Sequence, residues 1–204
     1  MSLLETMKSY RRAASWAVWP TDHAGRLTEE ARFPVERAER DLIDTAMIVS
    51  LNPGTDRAVE TEENTPDWGN FHSSARKHND LFLARAFHGT SLWGAYMTDL
   101  HPEHAESDSR KVRALPEQIR SSVDSLIEQA RLLANVDTIV CLGAKTFTGV
   151  NRHRDVIEKE LQIPASSIRR VPHYSGAAAR VHKNNADVYA DVVATTLGLN
   201  RARV

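Results

Sequence analysis

Apolar positions recur along the chain in two periods, and the alternation between them predicts the architecture. The run at residues 44–51 (DTAMIVSL) is short, apolar and bounded by polar residues, as expected of a buried strand. Residues 90–100 (TSLWGAYMTDL), 136–142 (VDTIVCL) and 168–171 (IRRV) read as three further strands. Helical spacing fills the gaps. Residues 79–87 (NDLFLARAF) form one helix, and residues 115–135 a longer one. In the latter Ile119, Val123, Leu126, Ile127, Ala130, Leu133 and Ala134 recur at intervals of three and four. Residues 150–161 predict a third helix. Residues 185–197 predict a fourth, with Val188, Tyr189, Val192, Val193 and Thr196 on its apolar face. Strand followed by helix, four times over, predicts a three-layer α/β/α domain with a central, mostly parallel four-stranded sheet. Residues 2–10 and 36–42 are helical in composition. Residues 11–34 contain Trp16, Trp19, Pro20 and Gly25 but no stable period. The expectation is an N-terminal extension, residues 1–35, docked through its two tryptophans on a single α/β domain spanning 36–200.

Composition narrows the function classes. The 204 residues suffice for one domain with a substantial core but not for two comfortable ones. Lys and Arg number 26 against 27 Asp and Glu, so no global positive field advertises a polyanionic partner. The charge is uneven, however. Residues 145–204 carry ten basic against five acidic side chains, whereas residues 31–144 carry twelve against eighteen. The basic surplus includes Arg169, Arg170, Arg180 and Lys183 around the end of the fourth strand; a solvated face is the plainer account of it. Cys141 is the single cysteine, which excludes an intrachain disulfide, a cysteine zinc cluster and a cysteine-ligated iron–sulfur centre. Its apolar surroundings predict a buried, inert thiol. No stretch approaches the roughly 18–20 apolar residues that cross a bilayer. The N-terminus lacks the apolar core of a secretion signal. A cytoplasmic, monomeric protein with no membrane partner is expected.

In an open parallel sheet, ligand sites gather outside the carboxyl ends of the strands. Four such ends carry Asn52-Pro53-Gly54, Thr98-Asp99-Leu100-His101, Gly143-Ala144-Lys145-Thr146 and His173-Tyr174-Ser175-Gly176. The Lys-Thr pair lacks the glycine-rich lead of a phosphate-cradling loop. His101 and His104, with Glu103 and Glu106, fall short of a zinc signature and predict solvated loop residues, so no metal is expected. Asn, Asp and His at adjacent loop bases suit hydrogen bonding of a small polar group. That defines a pocket rather than a reaction.

The strand ending in Leu51-Asn52-Pro53-Gly54, the segment Trp68-Gly69-Asn70-Phe71-His72 and the late His173-Tyr174-Ser175-Gly176 together resemble the uracil-DNA glycosylase superfamily. The mismatch-specific and single-strand-selective branches, which carry Asn-Pro-Gly after a strand, are the most similar. The resemblance spans residues 44–197. It implies a DNA glycosylase that hydrolyses the N-glycosidic bond of uracil or another deaminated or damaged base, with DNA as partner and no cofactor. By the resemblance, Asn52 orients the attacking water and Gly54 lets the backbone approach the flipped nucleotide. His173 stabilises the departing base, an oxyanion-hole type of contribution. Phe71 stacks on the base, with Trp68 a second candidate for that task. His72, Arg76, His78 and Asn79 are candidates for the same rim. Ser175, Gly176, Arg180 and Lys183 grip phosphate, with His182 extending the grip. The plainer readings are a strand-ending turn at Asn52, a surface histidine at 173 and a core phenylalanine at 71.

The chain also departs from the pattern. Tyr174 stands where the family usually has Pro. Asp99 stands where several branches read uracil with an Asn amide. A carboxylate accepts from uracil's N3–H but repels O4, so Asp99 better suits a base that presents donors, such as an exocyclic amine. The plainer reading of Asp99 is a helix cap or a charge partner for a nearby Arg or His. Ala177, Ala178 and Ala179 are small where duplex-opening members insert a bulky wedge. Single-stranded or mismatched DNA is therefore favoured over intact duplex. A non-catalytic or re-purposed binder of nucleic acid, nucleotide or nucleobase is the alternative.

Overall fold

The computed structural model describes residues 1–54, 66–73, 78–104, 106, 108, 111–112 and 116–200. Five strands form one sheet: β1 (Ser15–Trp16), β2 (Ala46–Ser50), β3 (Tyr96–Asp99), β4 (Thr138–Leu142) and β5 (Ile168–Val171). Their order across the sheet is β1-β3-β2-β4-β5. The four longer strands run parallel, and β1 pairs antiparallel with β3 at the edge. Eight helices lie among the described residues: α1 (Leu3–Thr6), α2 (Val35–Ala38), α3 (Asp80–Phe87), α4 (Pro116–Leu133), α5 (Ala144–Asn151), α6 (Arg154–Leu161), α7 (Ala179–His182) and α8 (Ala186–Leu197).

Alternate side chains of each central strand enter two separate cores, which is why these strands are apolar throughout. Met47 and Val49 of β2, with Ile139 and Cys141 of β4, pack against Val123, Leu126, Ile127, Ala130 and Leu133 of α4 and Ile157 of α6. Ala46 and Ile48, with Val140 and Leu142, pack against Leu83, Ala84 and Phe87 of α3 and Tyr189, Ala190 and Val193 of α8. The α/β/α layering expected from the sequence is therefore present.

Three details differ from the expectation. The sheet has five strands rather than four, because the N-terminal segment adds β1. Two residues are too few to reveal a period, but Trp16 is fully buried against the rings of Trp68 and Tyr96. The single helix expected over residues 150–161 is two, α5 and α6, and the first begins directly after β4. The strand expected over residues 90–100 is confined to Tyr96–Asp99, since turns occupy the chain up to Gly94. No described helix is long and apolar enough to cross a membrane.

Candidate functional site

Register brings the strand ends together. Ser50 pairs with Asp99 across β2 and β3, and Leu142 with Val171 across β4 and β5. The loops that follow these strands therefore leave the sheet side by side. Beyond the β2 and β3 ends lies a cleft of about 310 Å³, open to solvent, lined by Asn52, Gly54, Asn70, Phe71, Ser73, His78, Asp80, Asp99 and Tyr174 among others.

Asn52 is fixed by its own amide. Its Nδ2 donates to the carbonyls of Pro53 (2.9 Å), His104 (2.9 Å) and Glu106 (2.7 Å). Three carbonyls can face only the nitrogen, so the side-chain orientation is set by its partners. The remaining polar atom, Oδ1, is an acceptor. Gly54 packs against His78, where a Cβ would stand 3.1 Å from the ring Cε1.

The opposite wall comes from residues 66–73. Asn70 is buried, and its Nδ2 donates to Asp99 Oδ2 (2.8 Å) and to the Ala13 carbonyl (2.7 Å). Its Oδ1 is likewise left as the acceptor. Phe71 is almost wholly buried yet lines the cleft. It is a core residue that also walls the cleft. Trp68 and Phe71 both adopt left-handed backbone (φ 60° and 65°), which costs on the order of 1 kcal/mol each for a non-glycine residue. The N-terminal segment holds this strained stretch in place. Ser15 Oγ donates to the Trp68 carbonyl (2.5 Å), Trp68 N–H to the Arg11 carbonyl (2.7 Å), and His72 Nε2 to the Trp16 carbonyl (3.2 Å). Arg11 and Arg12 each reach Asp67 at 3.3 Å.

Asp99 is 2% exposed at the end of β3. Asp80, on the first turn of α3, accepts from the Ser73 N–H at 2.7 Å. Tyr174 lies beside Asp80 in the cleft lining. Burial, together with the Asp80 and Asp99 carboxylates, pushes that phenol well above its ordinary range. Tyr174 occupies a wall of the cleft, and its carbonyl accepts from Asn79 Nδ2 at 3.2 Å.

His173 does not line the cleft but stacks on Tyr174, with ring centroids 4.6 Å apart and planes 13° from parallel. Its Nδ1 accepts from the Ser175 N–H (3.1 Å), so the neutral ring carries its proton on Nε2, which faces Ser50 Oγ at 3.4 Å. Burial, with a smaller contribution from His182, pulls His173 down to about 4, so it is neutral at pH 7. Gly143, at φ 91°, lets the start of α5 pass close to this ring; a Cβ would stand 3.4 Å from His173 Cβ.

Several sequence expectations need correction. Trp68 packs in the core against Trp16 and does not line the cleft. His72 is buried against Trp19, with centroids 4.8 Å apart, rather than lying on the rim. His182 is fully buried and grips no phosphate. Its Nε2 donates to the Ser175 carbonyl (3.0 Å) while its ring meets Phe82 and Tyr189 edge-on. His101, expected in a solvated loop, is 4% exposed, with Nδ1 2.9 Å from Ser122 Oγ. No cluster of three or more His, Cys, Asp or Glu suited to a metal occurs among the described residues. Arg169 is committed to the α8 carbonyls of Thr196 and Leu197, and Arg170 lies over the Phe147 ring. Arg170 is nonetheless exposed, as are Arg180 and Lys183 on and just after α7, which follows the Ser175-Gly176 turn. Cys141 is buried, and burial pushes its thiol up to about 12. Arg76 lies outside the described residues.

Sequence reasoning assigns no role to Asn70 or Asp80. An Asn beside an aromatic residue and an Asp opening a helix have ordinary structural uses, and only the fold turns both into the cleft. A scan against protein-family models finds no match, and no curated protein matches the chain.

Proposed function

We propose that the protein is an N-glycosidic hydrolase acting on a deaminated or otherwise altered base in DNA. The observation that carries this reading is the convergence of Asn52, Phe71 and Asp99 on one strand-end cleft, with a neutral histidine stacked on the cleft residue Tyr174. Phe71 offers a ring edge to a planar base, and Asp99 an acceptor to its polar rim. Asn52 Oδ1 accepts a hydrogen bond from the water that attacks the anomeric carbon. The C–N bond breaks with its electron pair going to the base, and as the new C–O bond forms the proton lost by the water passes through solvent to the base anion, giving the neutral free base and an abasic sugar. An amide is no strong base, so Asn52 orients rather than deprotonates. His173 Nε2–H would exchange its long contact with Ser50 Oγ for an oxygen of the departing base. A neutral donor does this without adding a buried charge. Arg180 and Lys183, exposed beyond the Ser175-Gly176 turn, would meet the DNA backbone, and single-stranded or mismatched DNA fits best with the small side chains that follow Gly176.

Single-turnover assays on single-stranded and mismatched oligonucleotides carrying uracil, hypoxanthine, xanthine, guanine or a damaged pyrimidine test the proposal. Abasic product from the wild type is expected, with Asn52→Ala and His173→Ala each slower by about 10²-fold or more. No abasic product from folded protein across the panel would overturn it. A second reading, binding of a nucleobase or nucleoside without cleavage, is favoured by one observation. The described lining of the cleft includes two carboxylates and neither Lys nor Arg.

A further inference from the structure

The hydrogen-bond inventory of the cleft points to the class of base it takes, an inference that rests on the nucleobase reading above. Both amides in the wall have committed their donors: Asn52 Nδ2 to three carbonyls, Asn70 Nδ2 to a carbonyl and to Asp99. Each therefore offers only its oxygen. Asp99 and Asp80 contribute carboxylates. Ser73, His78 and Tyr174 are the other lining side chains that carry a donor. Where the sequence offered one unusual acceptor at Asp99, the fold adds Asn70 beside it, locked with its oxygen free.

Such a wall discriminates by what it cannot pair. The edge of uracil presents one N–H between two carbonyl oxygens, and both oxygens would meet acceptors. Hypoxanthine presents one N–H beside an oxygen. A 2-amino-6-oxopurine edge presents a ring N–H and an adjacent amine, two parallel donors that match a carboxylate and a neighbouring amide oxygen. We propose that the cleft selects bases whose edge joins an exocyclic amine to a ring N–H, the guanine type, over uracil and hypoxanthine, through Asp99 and the Asn70 amide oxygen. The ring of Phe71 supports the base, and Asn52 is left for the sugar side.

The test is equilibrium binding of 2′-deoxyguanosine, 2′-deoxyinosine and 2′-deoxyuridine to the full chain, followed by calorimetry or ligand-observed NMR. Deoxyguanosine and deoxyinosine differ only in the 2-amine. Deoxyguanosine is expected to bind more tightly than deoxyinosine by about tenfold or more, because its loss leaves a buried acceptor unpaired. Asp99→Asn, which restores an amide donor, is expected to narrow or reverse that preference. Its melting curve checks that it is folded, and the wild-type ranking stands as a test without it. Equal or tighter binding of deoxyinosine or deoxyuridine would overturn the inference and leave the nucleobase reading intact. Binding of none of the three to folded protein would overturn both.

Discussion

His173 shows how much of this site is set one residue at a time. Its ring lies at the end of a relay: His182 Nε2 donates to the Ser175 carbonyl, and the Ser175 N–H donates to His173 Nδ1. That second bond fixes the tautomer, and burial keeps the ring uncharged. The folded value, about 4 against an ordinary 6.5, makes protonation unfavourable in the native state. The unfolded chain then binds the proton more readily, so stability present above pH 6.5 is drawn down as pH falls towards 4. A ring-NMR titration should find His173 still neutral at pH 5, and a midpoint near 6.5 would sink this account. His182 is a positioning residue for the same ring. His182→Ala should destabilise by about 2–3 kcal/mol, from a cavity between Phe82 and Tyr189 and a carbonyl left without its donor. If the glycosylase reading holds, kcat should fall with little change in KM, and His182→Gln, which keeps an N–H, should recover part of the loss. An equal loss in both variants would argue that His182 only fills space.

Single glycines decide how elements meet. The turn before β3 passes so close to the chain before β2 that a Cβ on Gly94 would sit 1.7 Å from the Asp41 carbonyl oxygen, and its φ is 85°. Backbone cannot yield there as a flexible side chain would. Gly94 also accepts from the Ile43 N–H and donates to the Ala17 carbonyl, joining three segments at the base of the sheet. Gly94→Ala should cost about 3 kcal/mol or more, or prevent folding, as read by chemical denaturation. The elements themselves were largely legible. The apolar run over β2, the three-and-four spacing of α4 and the IRRV of β5 have periods long or pure enough to declare themselves. The break between α5 and α6 did not, since Arg152 and His153 carry no strong breaker signal. Strand β1 did not either, because it gains its strand character by pairing with Met97 and Tyr96 rather than from its own sequence.

Across the whole molecule, the N-terminal segment is a working part of the site. Residues 11–16 bond to residues 67–72, the strained stretch that bears Asn70 and Phe71, and Ala13 supplies one of the two acceptors that orient Asn70. Trp16→Ala should destabilise by about 3–5 kcal/mol through the lost packing against Trp68 and Tyr96. Removing residues 1–16 should abolish ligand binding as well as lower stability. Retained binding by a folded truncated chain would show that the cleft wall holds without its clamp. The same fold brings two carboxylates, Asp80 and Asp99, into the cleft lining and leaves Arg180 and Lys183 exposed outside it. The near-zero net charge thus conceals a negative pocket beside an exposed basic turn.

The sequence by itself determined the layers and most of the strand ends. Hydrophobic periodicity is a local property of a chain that must bury two faces of each strand. It also singled out Asn52, Asp99 and His173, because polar residues at strand ends stand out against that pattern, whereas Phe71 entered only through the family resemblance. Only the tertiary structure decided which atoms of those residues face a ligand. Whether an amide offers its nitrogen or its oxygen, and which ring nitrogen keeps a proton, depends on partners far away in sequence: His104 and Glu106 for Asn52, Ala13 and Asp99 for Asn70. For His173 the partner is a backbone N–H two residues on, held in place by a buried histidine from the next helix. Hydrogen-bond polarity is set by long-range contacts, and no local period encodes it.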